Sequence, residues 1–448
     1  MPSYVVDSAL FRDQFSTAEM REIFSDERTV QSWLDVEAAL ARVQADLGMI
    51  PDAAARAIAE VADVRRFDLE ALKQEMDRTA HPIVPLVRAV AERCAGDLGQ
   101  WVHYGATTQD IVDTGMVLQM RDAWKLLVSR LEEIEAELAR LARAHRDTPM
   151  AGRTHGQQAQ PVTFGYKCAV WLAAMFRHRE RFGDARARLF MGQIGGAVGT
   201  LAAMGSRGLE VREGVCEALG LAVPDISWHT ARDGIAEFAF LAGLAAASAG
   251  QIAHEIYTLG RSELAEVEEP HPAGKVGSST MPHKRNPAVC ETVVALARTV
   301  RGGVSLALEG VMAEHERDKI GLNAEREWLA RVCCQTDAAL AKTRVVLAGL
   351  TVREAGMRRN LELSGGAILS EAVMMRLAGL IGRQRAHDAL HRALMRVHDT
   401  GGSVRDALLE IDEVRAHVDA RELDELLDAS RYTGLAGEMV DRVLRLVG

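Results

Sequence analysis

Apolar residues recur at every third or fourth position through the middle of the chain. The members of this series are Val117, Met120, Trp124, Leu127, Leu131, Ile134, Leu138 and Leu141. Charged residues such as Arg130, Glu132 and Arg140 fall between them. Because an α-helix has 3.6 residues per turn, this spacing puts the apolar side chains on one stripe and the charges on the opposite faces. The pattern predicts one long helix of a helical bundle.

A second segment, residues 235–266, is apolar on nearly all faces as far as Glu255, which predicts a long helix buried among others. Five more stretches show a helical pattern: residues 30–47, 163–188, 288–312, 324–350 and 368–380. No proline follows Pro287 in the last 161 residues, and strand-like alternation is nearly absent. The sequence therefore predicts an all-α protein. Its three expected domains are a small N-terminal helical domain, a central long-helix bundle and a small C-terminal helical domain, at 1–106, 107–352 and 353–448.

Composition narrows the functional classes. The chain has 448 residues, 48% of them hydrophobic, with a formal net charge of −10 and no long run of Lys and Arg. A globular fold is expected and a nucleic-acid partner is not. Six scattered cysteines without a C-x-x-C pair predict reduced, buried thiols, and no basic segment followed by an apolar one opens the chain, so we expect a cytoplasmic protein. The most apolar stretch, 238–250, is too short to span a bilayer, so no membrane partner is expected.

The least ordinary segment is a polar loop, residues 274–287, which reads GKVGSSTMPHKRNP. Glycines and small hydroxyl residues make it rich in hydrogen-bond donors. Asn286 before Pro287 fits an N-cap followed by proline in the first turn of a helix. The loop would therefore bring Lys284 and Asn286 to a helix N-terminus, where anions are stabilised.

Histidines and hydroxyl residues form the next group of candidates. His81, His103 and His155 each lie in a polar segment, and each taken alone is more often a structural hydrogen-bonding residue. No H-E-x-x-H pattern and no His/Cys cluster occurs, so no metal site is expected. Thr107 and Thr108 open the first long helix, where they either cap it or bind a carboxylate.

Four motifs together resemble the fumarase/aspartase superfamily, and most closely its branch of adenylosuccinate lyase and 3-carboxy-cis,cis-muconate cycloisomerase. The segment 277–287, GSSTMPHKRNP, is similar to the signature loop of that superfamily. The other three motifs are HYGATTQD at 103–110, GRTHGQ at 152–157 and HERD at 315–318. All four occur along the chain in the family's order, and the resemblance covers nearly the whole chain. It implies an all-helical, three-domain subunit and a homotetramer with a central twenty-helix core. It also implies active sites built from three subunits, and no cofactor.

The resemblance assigns roles to individual residues. It implies that Ser278 is the general base that removes a proton beside a carboxylate, and that His155 is the general acid for the leaving group, with His81 as a second catalytic histidine. A serine hydroxyl needs its anion stabilised to act in this way. The residues that it implies in substrate binding are Thr107, Thr108, Gln157, Arg232, Lys284, Asn286 and Arg326.

The resemblance implies a small dicarboxylate as the substrate. Two departures from the sequences of adenylosuccinate lyases narrow its identity. This chain has Gln14-Phe15 where those enzymes have an Arg-Tyr pair, and Leu322-Asn323 where they have paired serines. Both elements contact the nucleotide phosphate in that branch, so their loss removes charge-assisted phosphate contacts. We therefore expect a lyase that cleaves a C–N bond in an N-substituted aspartate to release fumarate and a non-nucleotide amine. The alternatives are carboxymuconate cycloisomerase, whose branch resembles the chain at Trp228-His229-Thr230, adenylosuccinate lyase proper, and an inactive structural homologue.

Overall fold

A computed structural model describes residues 4–272, 274, 276–278 and 280–447, and helices dominate it. The all-α prediction is confirmed. Five long helices occupy the middle of the chain: α7 (Thr108–Ala144), α8 (Phe164–Leu189), α10 (Asp233–Leu259), α11 (Ala288–Glu309) and α12 (Lys319–Ala348).

Shorter helices flank these long ones. Before and between them lie α1 (Arg12–Phe15), α2 (Ala18–Ile23), α3 (Asp26–Asp46), α4 (Asp52–Val61), α5 (Leu69–Thr79), α6 (Val84–Arg93) and α9 (Gly208–Leu219). After them lie α13 (Glu354–Glu362), α14 (Ser370–Ile381), α15 (Arg383–Thr400), α16 (Val404–Leu409), α17 (Asp412–Arg415), α18 (Ala420–Leu426) and α19 (Ala436–Leu444). The 3₁₀-helices span Val5–Asp7, Val64–Arg66, Gly96–Trp101, Ala202–Arg207, Ala367–Leu369 and Ala429–Arg431.

The apolar stripe of α7 is buried as its spacing predicts. Each leucine of the stripe, together with Met120 and Ile134, is at most 1% exposed. Trp124 is half-buried, and its indole Nε1 donates to the Phe182 carbonyl at 3.1 Å, which satisfies the one polar atom on the stripe.

Helix α10 is shorter at its C-terminus than the sequence predicts, because it ends at Leu259 rather than near 266. Gly260 follows, Ala265 has a left-handed backbone (φ 46°), and the chain then enters a short strand. At 27 residues, α10 is long and apolar enough to cross a membrane, so the apolar stretch is longer than the predicted 238–250 and length alone does not exclude a span. Burial is the better criterion, since 67% of its most apolar window is buried within the structure, as in a core helix.

Two small antiparallel sheets were not predicted. Strands β1 (Pro149–Thr154) and β2 (Gln157–Thr163) form a hairpin whose two-residue turn is His155-Gly156. Both turn residues have positive φ (53° and 76°), as a type I′ turn requires, and glycine supplies the second at little cost. Strands β3 (Val267–Glu268) and β4 (Thr351–Val352) form the other pair.

The described residues divide into two compact units, and each long helix contributes residues to both. Unit 1 comprises 1–130, 178–249 and 295–341, and its N-terminal part has an apolar core that includes Leu34, Ile58 and Leu86. Unit 2 comprises 131–177, 250–294 and 342–448, and its C-terminal part has a core that includes Val373, Leu377 and Leu408. The division at 106 and 352 stays a prediction.

The six cysteines are buried, as predicted, and none forms a disulfide with a described residue. Burial raises the pKa of Cys216 to about 11 and that of Cys334 to about 12. Such thiols stay protonated at neutral pH and are poor nucleophiles.

Candidate active site

In unit 1, the N-terminus of α7 is organised around Asp110, whose side chain is fully buried. Its Oδ1 accepts from the Gly195 backbone N–H and from His229 Nε2, both at 2.9 Å. Its Oδ2 accepts from the backbone N–H of Gly196 at 2.9 Å and of Thr107 at 3.0 Å. Four donors therefore neutralise one buried carboxylate and hold the Thr107 backbone in place.

His81 and Thr108, both singled out from the sequence, meet in unit 1. His81 Nδ1 accepts from the Val84 backbone N–H at 3.2 Å, so the proton of the neutral ring lies on Nε2. Nε2 lies 3.1 Å from Thr108 Oγ1 and donates to it, which leaves the hydroxyl proton of Thr108 as a donor for a ligand. Burial lowers the pKa of His81, and the charges of Lys319 and His103 lower it further, so His81 is neutral at pH 7.

His103 is held by Glu37, a residue of helix α3. Its Nδ1 lies 2.6 Å from Oε1 of Glu37, which is 2% exposed. Two turns further along the same face of α3, Gln44 donates to the Tyr104 carbonyl at 2.7 Å. Burial alone would lower the pKa of His103, but the hydrogen bond and the charge of Glu37 raise it. These contacts support a structural role for His103 and fix the segment that leads to Thr107.

The two predicted arginines of unit 1 have different environments. Arg232 is 3% exposed, and its guanidinium pairs with Asp113 (Nη1–Oδ2, 2.7 Å) and with Glu325 (Nε–Oε1, 2.8 Å). Burial alone would lower the pKa of Arg232, but the two carboxylates raise it. Its predicted contact with substrate stays a prediction, and this geometry supports a positioning role. Arg326 is exposed and lines a cavity of about 420 Å³ that Asp113 and Glu325 also line.

In unit 2, the signature loop is folded around its own polar groups. Ser278 Oγ accepts from the backbone N–H of Thr280 at 3.3 Å and of Met281 at 3.1 Å. Asn286 Nδ2 donates to the Gly277 carbonyl at 2.7 Å and so ties the two ends of the loop together. Ser279, which belongs to the motif, lies outside the described residues. Ser278 therefore has two backbone donors aimed at its oxygen, which is the arrangement that stabilises a developing alkoxide.

The prediction that Asn286 caps the following helix is wrong. A buried carboxylate does so instead, because Glu269 accepts from the backbone N–H of Val289 at 3.2 Å and of Cys290 at 3.0 Å. Lys284 is exposed and lines, with Asn286, a cavity of about 780 Å³ to which Arg261 and Arg353 add positive charge. Glu263, Glu268 and Glu291 also line this cavity, and Glu268 pairs with Arg285 and Arg353, so Lys284 is the cation beside Asn286 that suits a carboxylate ligand.

The hairpin turn of unit 2 carries His155 and Gln157 as exposed side chains. Among the described residues, His155 makes no hydrogen bond within the chain. Arg153, two residues before it, forms a bidentate pair with Glu266 (2.9 and 2.7 Å), whose carboxylate is fully buried. The hairpin therefore holds His155 at an anchored tip, with its ring open to a ligand.

The predicted residues are thus divided between the two units. Unit 1 holds His81, Thr107, Thr108, Arg232 and Arg326, and unit 2 holds His155, Gln157, Ser278, Lys284 and Asn286. Sequence reasoning missed Glu37 and Glu266. A single acidic residue inside an apolar helical pattern was the available signal for Glu37. Among the described residues, no group of three or more His, Cys, Asp or Glu side chains is arranged to hold a metal ion.

Comparisons with known proteins match this arrangement to one family. A model described as "Lyase" matches residues 12–302, and one described as "Adenylosuccinate lyase C-terminus" matches 366–443. The N-acetyl-S-(2-succino)cysteine lyase of Enterococcus italicus is 43% identical over 99% of this chain and 97% of its own. The adenylosuccinate lyase of Methanothermobacter thermautotrophicus is 42% identical over 96% of this chain and 97% of its own.

Solved structures give the same result. The 3-carboxy-cis,cis-muconate lactonizing enzyme of Pseudomonas putida superposes with a TM-score of 0.94 at 41% identity, over 98% of this chain and 99% of its own. A fumarate lyase from Mesorhizobium sp. BNC1 gives 0.91 at 40% identity, over 96% and 98%. These likenesses cover both groups of candidate residues. The chain therefore belongs to the lyase family of the fumarase/aspartase superfamily, whose members include enzymes that eliminate a substituent from succinyl compounds.

Proposed function

We propose that the protein is a lyase that removes a heteroatom substituent from C2 of a substituted succinate and releases fumarate. The observation that carries this proposal is Ser278, whose oxygen accepts from two backbone N–H groups in a loop that also presents Lys284 and Asn286. Relatives named N-acetyl-S-(2-succino)cysteine lyase and adenylosuccinate lyase support elimination from a succinyl group.

In the proposed mechanism, Ser278 takes the proton from C3 of the succinyl unit. The C3–H electron pair becomes the second bond between C2 and C3, and the bond from C2 to the heteroatom breaks. In an active site that is shared between subunits, charge that develops on the carboxylate next to C3 would be held by Lys284, Asn286 and the hydroxyl of Thr108, all of which are hydrogen-bond donors. Loss of that stabilisation would raise the barrier to proton removal, the difficult step for a weakly acidic C–H.

We propose nitrogen as the leaving atom and His155 as the acid that protonates it, as the sequence predicts. An amine is a poor leaving group unless a proton arrives while the bond breaks. The exposed ring of His155 at the tip of its hairpin, without a partner among the described residues, supports this role. The neutral Nε2–H of His81 supports a second role, in orienting Thr108.

A thioether is the second candidate, and the relative named N-acetyl-S-(2-succino)cysteine lyase favours it. A thiol has a pKa of about 8.5 and departs as the thiolate with little help from an acid. Cycloisomerisation of carboxymuconate and cleavage of adenylosuccinate are tested beside both.

The deciding experiment measures fumarate by ultraviolet absorbance with N-substituted aspartates, S-succinyl thiols, adenylosuccinate and carboxymuconate. His155→Ala is expected to lower the rate with aspartate derivatives by about 10²–10⁴ and to have less effect as the leaving group improves. Gln157→Ala, on the same hairpin, is the matched control and is expected to slow all substrates by a similar factor. Equal losses for His155→Ala across the series would refute the general-acid role. Turnover of carboxymuconate alone would refute the proposed elimination.

We further propose a cytoplasmic homotetramer with the twenty-helix core and shared active sites of its family, because the family motifs are intact in both units. The apolar residues exposed along α11 and α12 and between them, Leu308, Met312 and Ile320 among them, support assembly.

A further inference from the structure

Four consecutive residues of unit 2, Glu266-Val267-Glu268-Glu269, place three carboxylates between the elements that carry the proposed chemistry. We call residues 266–269 the acidic strand. Its middle residues form β3 and pair with β4, and the Glu266 carbonyl also accepts from the Arg353 backbone N–H at 2.9 Å. The backbone of the acidic strand is therefore fixed independently of its side chains.

Glu266 binds the hairpin. Its carboxylate is fully buried and accepts both guanidinium nitrogens of Arg153, with a third bond from Asn360 Nδ2 at 2.7 Å. Arg153 lies where the register of the hairpin shifts, beside the strand pair that leads directly into the His155-Gly156 turn. A bidentate pair fixes the direction of the arginine as well as its distance. Glu266 thereby sets the position of His155.

Glu268 binds the signature loop. Its Oε1 accepts from Arg285 Nη1 at 2.5 Å, and Oε2 accepts from Arg353 Nε at 3.1 Å. Arg285 stands between Lys284 and Asn286. Burial alone would raise the pKa of Glu268, but the two arginines lower it, so the carboxylate is charged at neutral pH.

Glu269 binds the helix that follows the loop. Its two oxygens accept hydrogen bonds from backbone N–H groups in the first turn of α11, those of Val289 and Cys290. Asn286 and Pro287 directly precede that helix. The loop is therefore held at its Arg285 by one carboxylate and at its C-terminal end by the next.

We infer that the acidic strand is a positioning element that fixes the His155 hairpin and the Ser278 loop independently of each other. Glu266 fixes the position of the hairpin, and Glu268 fixes that of the loop. The kinetic part of this inference rests on the proposed function, whereas its structural part does not. None of the three carboxylates is assigned contact with substrate.

Hydrogen exchange measured by mass spectrometry on the whole protein tests the structural part. Glu266→Gln is expected to speed exchange at least tenfold in peptides from 149–163 and less than threefold in those from 276–287. Glu268→Gln is expected to do the reverse. Glu237→Gln, which breaks a bidentate Arg–Glu pair in unit 1 with Arg188, is the matched control and should leave both segments unchanged. If Glu266→Gln does not fold, Arg153→Met removes the same link from the hairpin side.

Steady-state rates test the kinetic part. The loss in Glu266→Gln should grow with the pKa of the leaving group, and the same change in a His155→Ala background should cost less than about threefold. The loss in Glu268→Gln should be the same for every leaving group. Glu266→Asp should restore part of the lost rate. The inference would be overturned, whatever the substrate is, if either variant raised hydrogen exchange in both the hairpin and the loop peptides. It would also be overturned if either variant raised exchange in neither segment. Selective exchange without the leaving-group trend would instead count against the proposed acid.

Discussion

Replacing Asp110 by asparagine tests the claim that one buried carboxylate holds the start of α7. The substitution keeps the shape of the side chain and removes its charge. Each carboxylate oxygen accepts two donors, so the new amide group must face two of them. At the Oδ2 position it would face the backbone N–H groups of Thr107 and Gly196, neither of which can change.

At the Oδ1 position the amide faces the Gly195 N–H and His229 Nε2, and the imidazole can change tautomer and accept. The variant is therefore expected to take this orientation, with one buried N–H left without an acceptor. That orphaned donor, and the replacement of three charge-assisted bonds by neutral ones, give a cost of about 2–5 kcal/mol. Because about 1.4 kcal/mol is a factor of ten, the local opening equilibrium should rise about 30-fold to 4,000-fold.

Native-state hydrogen exchange is the suitable assay, since it reports local opening without assuming that a chain of this size unfolds in two states. Exchange should rise by that factor in peptides that contain residues 107 and 195–196. Asp97→Asn, an exposed aspartate on the 3₁₀-helix Gly96–Trp101, is the matched control. A change below threefold in Asp110→Asn, similar to that of the control, would refute the role assigned to Asp110.

Three further predictions concern the base, a buried ion pair and assembly. Ser278→Ala should leave the fold intact and lower kcat more than tenfold; a smaller loss, under about 1.4 kcal/mol, would exclude Ser278 as the base. The pKa of His103 is raised by Glu37, so the pair should stabilise the fold fully below the ordinary pKa of 6.5 and lose this effect as pH rises through the higher folded-state pKa. The difference in unfolding midpoint between wild type and Glu37→Gln should shrink over that range, and a constant difference would contradict the assignment. Light scattering should give four times the 48.8 kDa of one chain, and mixed Ser278→Ala and His155→Ala protomers should regain activity; a monomer, or no recovery after verified exchange, would contradict shared sites.

The long helices could be predicted from the sequence because their signal is repeated over many turns. The stripe from Val117 to Leu141 contains seven consecutive spacings of three or four residues, so the helix prediction does not depend on any single residue. The end of α10 had no such redundancy. Residues 260–266 contain good helix formers beside Gly260, but the chain turns at the left-handed Ala265 into β3, which pairs with β4 more than 80 residues away. Long-range pairing of this kind is not visible in a local pattern.

The candidate site was predictable for the residues that carry chemistry and not for those that hold them. Ser278, His155 and Lys284 lie in motifs that are polar and unusual. Glu37 lies in an ordinary amphipathic helix and Glu266 in the acid-rich segment 263–269, and neither pattern reveals its partner, which is 66 or 113 residues away. The N-cap of α11 could not be predicted for the same reason. Asn286 stands at a suitable position in the sequence, but Glu269, 19 residues before the helix begins, accepts from the N–H groups of its first turn.

Three of the strained backbone positions, His103, His155 and Ala265, lie in segments that Glu37 or Glu266 holds. Six residues other than glycine have positive φ among the described ones: Ala80, His103, His155, Leu201, Ala265 and His315. Each left-handed residue with a Cβ costs about 1–2 kcal/mol, so it persists only where its surroundings fix it. Ala80 turns the chain so that His81 reaches the Val84 amide, His103 is fixed by Glu37, and Ala265 directly precedes Glu266, which anchors the hairpin of His155. His103 and the His155 hairpin are therefore held through Glu37 and Glu266, which are at most 2% exposed, and this allows the His155 ring to remain exposed to substrate while its position stays fixed.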